Sequence, residues 1–251
     1  MPNESENTRP TISNIRKMLS QAEKGGVQNT IQNCVTVLQN DPILADSIRL
    51  NLLSERIDIV KPMGWQRSGP TLTDTDMMYI LRRMEKYGLY SEKRVSAAIR
   101  IVANENHYHP IRDYLNDLKW DGTERISHAL HHFLGAAEDE LTAEALKIFL
   151  LGAIKRVFHP GCKFEMMLCL VGGQGAGKSS FFRLLAIKDE WFSDDLRRMD
   201  DDNVFRKLQG HWIMEMSEMI ATANAKSIEE IKSFLSKQKE TYKVPYETHP
   251  A

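Results

Sequence analysis

The chain has 251 residues, a formal net charge of −1, and a composition that is 42% hydrophobic and 27% charged. That length allows one large domain or two smaller ones, and the near-neutral balance excludes a protein that coats nucleic acid through a uniformly basic face. No apolar run approaches the roughly 18 residues needed to span a bilayer, the start MPNESENTRP has no apolar signal core, and three cysteines without a CxxC pair cannot frame a disulfide scaffold, so no membrane partner and a cytoplasmic location are expected.

Residues 1–10 read as a tail. From Ile12 to about Ile59 the pattern is mainly helical, with Ile15, Met18 and Leu19 spaced for one face and Ile31, Cys34, Val35 and Leu38 for another. Gly25-Gly26 separates these segments, and Pro62, Gly64, Gly69 and Pro70 make a turn-rich connection. Thr73 or Asp74 is suited to cap a helix through Met78, Ile80, Leu81 and Met84, closed by Gly88. Ser91 opens the next helix, with Val95, Ala98, Ile99 and Val102 on its buried face.

The composition changes at His107–Ile126, which predicts a mainly helical accessory domain over 1–106 and a second domain over 107–251. Thr142 opens a long helix that stops at His159-Pro160-Gly161. A strand (Glu165–Val171), a glycine loop and a helix (Lys178 to about Ile187) follow. Beyond an acidic stretch (Asp194, Asp195, Asp200–Asp202) come a second strand candidate, His211–Met219, and a helix whose capping box is Ser227 and Glu230. This order predicts an α/β core with parallel pairing.

The loop carries the chemistry. Gly172, Gly173, Gln174, Gly175, Ala176, Gly177, Lys178, Ser179 and Ser180 fit the phosphate-loop pattern G-x-x-x-x-G-K-[ST] completely. Glycines let the backbone curl with its N–H groups inward, forming an anion nest at a helix N-terminus. Lys178 is placed to reach β- and γ-phosphates, and the Ser179 hydroxyl to ligate Mg²⁺. An acidic group at the end of a neighbouring strand is also needed, and Glu215 and Glu218 in WIMEMSEM are the candidates. Glu215 is assigned to the Mg²⁺ shell and Glu218 to activating water, although the roles are interchangeable, and on a half-exposed edge strand both would simply face water. The cofactors expected are ATP, or another nucleoside triphosphate, and Mg²⁺.

Two weaker patterns remain. His128, His131 and His132 are spaced for one helix face, which fits a solvated surface better than a zinc site lacking a further ligand. Lys232, Lys237, Lys239 and Lys243, with Lys226, form a basic cluster that suits either a solvated face or a nucleic-acid backbone.

In order, YHPIRDYLNDLKWDGTERI, FLLGAIKRVFHPGCKFEMMLCLVGGQGAGKSSFFRLLA, WFSDDL with LQGHWIMEMSEM, and IEEIKSFLSKQKETYKVPY resemble the virulence-associated protein E family. That family is similar to superfamily 3 and poxvirus-type primase-helicases. The resemblance runs from about Asn106 to the end and implies a P-loop NTPase core of AAA+/superfamily 3 helicase type behind an N-terminal mainly helical domain. It implies an ATP-dependent helicase or translocase, oligomeric as a ring, acting on single-stranded or forked DNA in phage or mobile-element replication. The family pattern continues past Ala251 into a sensor strand with a nearby arginine, so a nucleotide-binding module with weak catalysis is the alternative expectation. A small-substrate kinase would share only the phosphate loop.

Overall fold

The computed structural model describes residues 10–196, 207–216, 229, 232 and 233. They fall into two compact units, 1–110 and 111–251.

In the first unit, Thr11 and Thr30 each accept a backbone N–H three residues on, starting α1 (Ile12–Met18) and α2 (Ile31–Asn40). The helical pattern expected as far as Ile59 gives way earlier. Ile48–Asn51 (β1) and Arg56–Ile59 (β2) instead form an antiparallel hairpin, in register Ile48↔Ile59 and Leu50↔Ile57. Apolar residues alternate along both strands, and Glu55 takes a φ of 55° in the connecting turn. Helix α3 (Asp74–Glu85) begins at Thr73 through a capping box with Asp76, and α4 (Glu92–Glu105) follows Ser91. Ile15, Leu38, Ile48, Ile80, Met84, Tyr87 and Ile99 are buried together between these elements.

Asp76 does more than cap. Trp65 Nε1 donates to its Oδ1 at 2.7 Å and Arg67 Nε at 2.8 Å, and the two charged side chains are only 3% and 12% exposed. Burial alone would raise this carboxyl, but the bonds from Arg67, Trp65 and Thr73 outweigh it and hold the group well below the usual carboxylate range. Its contribution to stability is therefore complete above the ordinary aspartate pKa of about 4 and is lost as pH falls further. In unfolding titrations, the stability gap between native protein and Asp76→Asn should narrow steadily from pH 5 towards pH 2.

The second unit opens with α5 (Pro110–Asp117), where proline occupies the first helical position and gives up no needed hydrogen bond. Helix α6 (Ile126–Leu134) ends at Gly135, whose φ of 65° lets its N–H return to His131 O. Helix α7 (Glu140–Phe158) is capped by Asp139, which accepts Thr142 N at 2.8 Å, so it starts slightly before Thr142. Helix α8 (Lys178–Leu185), a 3₁₀ turn (Asp189–Trp191), β3 (Phe192–Ser193) and β4 (Ile213–Met214) complete the described elements. The strands β3 and β4 pair in parallel.

Gly152, inside α7, is required for space. A Cβ there would lie 2.2 Å from Phe164 Cζ. Alanine would gain about 1 kcal/mol of helix propensity, but moving the ring costs about 1–3 kcal/mol. Gly152→Ala should therefore lower the melting temperature, and adding Phe164→Leu should recover part of the loss.

Candidate phosphate-loop site

The site is built on the α6–α7 pair. Leu130 of α6, Leu146 of α7 and Phe181 of α8 form a buried cluster, against which Leu134, Leu168, Leu170 and Leu185 pack. Phe181 thereby fixes the start of α8. Leu168 and Leu170 meet the cluster while Met167 and Val171 are exposed, which is the period-two alternation expected of a strand. The segment Glu165–Val171 is nonetheless extended without ladder pairing among the described residues. A strand is defined by a neighbour, and the described parallel ladder involves only β3 and β4.

Gly175 and Gly177 adopt φ of 80° and 82°, and Gly177 is the N-cap of α8. An added Cβ at Gly175 would meet nothing within 4 Å, and one at Gly177 would meet Leu134 Cδ2 at 3.8 Å. Backbone conformation, not crowding, is thus what calls for glycine at both positions. Gly177 offers no side-chain cap to the first N–H groups of α8, at the positive end of that helix. Residues 172–177, with Ser179 and Ser180, are exposed and accessible to a ligand.

Lys178 Nζ folds over its own loop, donating to Gly172 O at 3.0 Å and Gly173 O at 2.7 Å. The ammonium is therefore held by two carbonyls of the loop itself. Ser179 Oγ donates to Glu215 Oε1 at 2.7 Å, although 36 positions separate the two residues. Glu215 immediately follows β4, and its own N–H donates to Ser193 O at 2.8 Å. The carboxylate thus stands at the C-terminal end of a parallel strand, where open α/β sheets bind their ligands.

Two oxygens bound side by side to octahedral Mg²⁺ lie about 3 Å apart. The Ser179–Glu215 spacing matches that edge, and both atoms are hard oxygen donors. No group of three or more His, Cys, Asp or Glu residues is arranged to hold a metal among the described residues.

Sequence reasoning missed the support behind Glu215. Trp212 Nε1 donates to Ala153 O of α7 at 3.2 Å, and its ring meets Trp191 edge-on at 6.3 Å. Trp191 in turn packs edge-on against Tyr114 at 5.8 Å. Nothing in local spacing links these aromatics; only the aromatic content of WFSDDL and HWIMEM could have flagged them.

The strand expected over His211–Met219 is a strand at Ile213–Met214. Glu218, Lys237, Lys239 and Lys243 lie outside the described residues, as do Lys226 and the Ser227–Glu230 capping box. Lys232 donates to Glu229 at 2.9 Å. Of the histidines on α6, His128 Nδ1 lies 3.2 Å from Glu138 and His131 Nδ1 2.8 Å from Ala136 O, while His132 stacks edge-on against Phe133.

A family model described as virulence-associated protein E-like domain matches residues 115–251, more than half of the chain. The chain belongs to this family. The virulence-associated protein E-like domain takes in α6 to α8, the glycine loop, Ser179 and Glu215, and leaves the first unit outside the match. No curated protein sequence matches the chain. No helix among the described residues is long and apolar enough to cross a membrane.

Proposed function

We propose that residues 111–251 form a P-loop NTPase core that binds ATP with Mg²⁺ and serves as the motor domain of a replication-associated helicase or translocase of phage or mobile-element origin. The observation that carries this reading is the 2.7 Å contact between Ser179 and Glu215 directly beside Lys178. It joins the loop that would hold phosphates to an acidic strand end, which a connecting glycine turn would have no reason to do.

The residues take distinct roles. Backbone N–H groups of the loop and of the first turn of α8 face the β-phosphate. Lys178 exchanges its two carbonyl partners for β- and γ-phosphate oxygens, which are stronger acceptors. Ser179 and Glu215 hold the cation, directly or through water. Bound Mg²⁺ would neutralise charge on the β- and γ-phosphate oxygens. Glu218 orients the attacking water, and Lys232, Lys237, Lys239 and Lys243 meet the backbone of single-stranded or forked DNA in a ring of subunits.

The test is ATP turnover by the purified chain with Mg²⁺, alone and with single-stranded DNA. Stimulated phosphate release supports the motor reading; tight ATP binding with no release under either condition reduces it to a nucleotide-binding module. Glu215→Gln keeps the size and the hydrogen bond from Ser179 but removes the charge. It should raise the Mg²⁺ requirement for ATP binding about tenfold or more while Mg²⁺-free affinity stays unchanged.

A further inference from the structure

The short ladder that carries Glu215 raises the question of what keeps its carboxylate against Ser179. Strands β3 and β4 pair over two residues each, far fewer than an ordinary strand. The backbone from Trp212 to Glu215 is held at both ends, by Trp212 N on Trp191 O at 2.7 Å and by Glu215 N on Ser193 O at 2.8 Å. These bonds tie the chain to the 3₁₀ turn and to β3, and a link to α7 must come from elsewhere. Trp212 Nε1 supplies that link by donating to Ala153 O, 59 positions away on the 19-residue helix α7. A carbonyl has two lone pairs, so Ala153 can accept the indole without giving up its helical bond. Helix α7 also carries Leu146, which meets Phe181 of α8 in the buried cluster. Ser179 and Glu215 are therefore referenced to one body, the first through Phe181 and the second through Trp212.

We propose that Trp212 is a positioning residue for the metal-binding pair: its indole N–H, anchored on Ala153 O of α7, holds the Glu215 carboxylate at the Ser179 hydroxyl, so that cation affinity depends on a side chain that touches neither cation nor nucleotide. This rests on the nucleotide-site reading above. Outer partners of this kind commonly set metal affinity by orienting the ligands. The aromatic contact to Trp191 fills space, whereas the N–H fixes direction, and the two contributions separate by substitution.

The experiment follows binding of a fluorescent ATP analogue to the full chain, without Mg²⁺ and across a Mg²⁺ titration. Trp212→Phe keeps a ring against Trp191 and removes only the donor. It should shift the Mg²⁺ concentration for half-maximal tightening upward about tenfold, with Mg²⁺-free affinity within about twofold of native. Trp191→Phe alters the same aromatic contact without touching the Ala153 bond and should leave the Mg²⁺ titration as in the native chain. An unchanged titration in Trp212→Phe, an equal loss of affinity with and without Mg²⁺, or the same shift in Trp191→Phe each overturns the proposal. Failure of the native chain to bind the analogue at all overturns the nucleotide site, and this proposal with it. Mg²⁺-dependent binding by the native chain that Trp212→Phe reproduces removes the positioning role alone.

Discussion

On the proposed nucleotide site, Lys178→Ala should weaken ATP binding about 100-fold and leave the fold intact. Hydrogen bonds to charged groups contribute about 1.5–3 kcal/mol each, so losing an ammonium proposed to face two phosphates would remove about 3 kcal/mol, or two orders of magnitude in affinity. A second effect acts in the same direction. Lys178 ties Gly172 O and Gly173 O together, and without it the loop loses a tether and must be ordered when the nucleotide arrives. Because the loop is exposed and the buried cluster draws on Phe181 instead, the melting temperature should stay within a few degrees of native. Calorimetric titration of both proteins with ATP, beside thermal unfolding, checks the two halves of this expectation.

Asp41→Ala destabilises the first unit by about 3–5 kcal/mol, a large part of the 5–15 kcal/mol typical of a whole domain. Asp41 is fully buried at the C-terminal end of α2. Its carboxylate accepts Arg83 Nε at 2.8 Å and the Tyr87 hydroxyl at 2.5 Å, and caps the N–H groups of Ile43 and Leu44. Removing it leaves Arg83, whose side chain is only 15% exposed, without its carboxylate partner, and strands the Tyr87 hydroxyl in a fully buried setting. Burial and the bond to Asp41 push the Tyr87 phenol above its ordinary value, so the hydroxyl is a donor throughout the working pH range. Asp41→Asn keeps the shape and the capping oxygen and should cost clearly less. Urea unfolding of the three proteins, read by circular dichroism, ranks them.

Local signals carried much of this architecture. The cap at Thr73, one of the two positions expected, Gly88 after α3, His159-Pro160 after α7 and the Gly177-Lys178 junction at α8 each act within a few residues, so their chemistry is visible in a short window. Glu215 was a candidate partner for the loop on a different ground: the expected phosphate loop would require an acidic strand end, and few acidic residues sit inside apolar stretches. The β1–β2 hairpin was hidden because each strand has four residues and the turn relies on Glu55 in a left-handed conformation, without the Asn-Gly or Asp-Gly pair that marks such turns. The segment Glu165–Val171 shows the opposite case, where alternation is present but ladder bonds depend on a neighbour that no local pattern specifies. Trp212 on Ala153, Gly152 beneath Phe164 and Asp41 beside Tyr87 were beyond reach, since each joins residues that only the folded chain brings together.

Lys178, Ser179 and Glu215 are proposed to form one nucleotide and Mg²⁺ site. Calorimetric titration of the native chain with ATP, first in EDTA and then in millimolar Mg²⁺, tests it most directly. Saturable binding that tightens when Mg²⁺ is present is the expected result. No binding in either buffer, or an affinity indifferent to Mg²⁺, would contradict it.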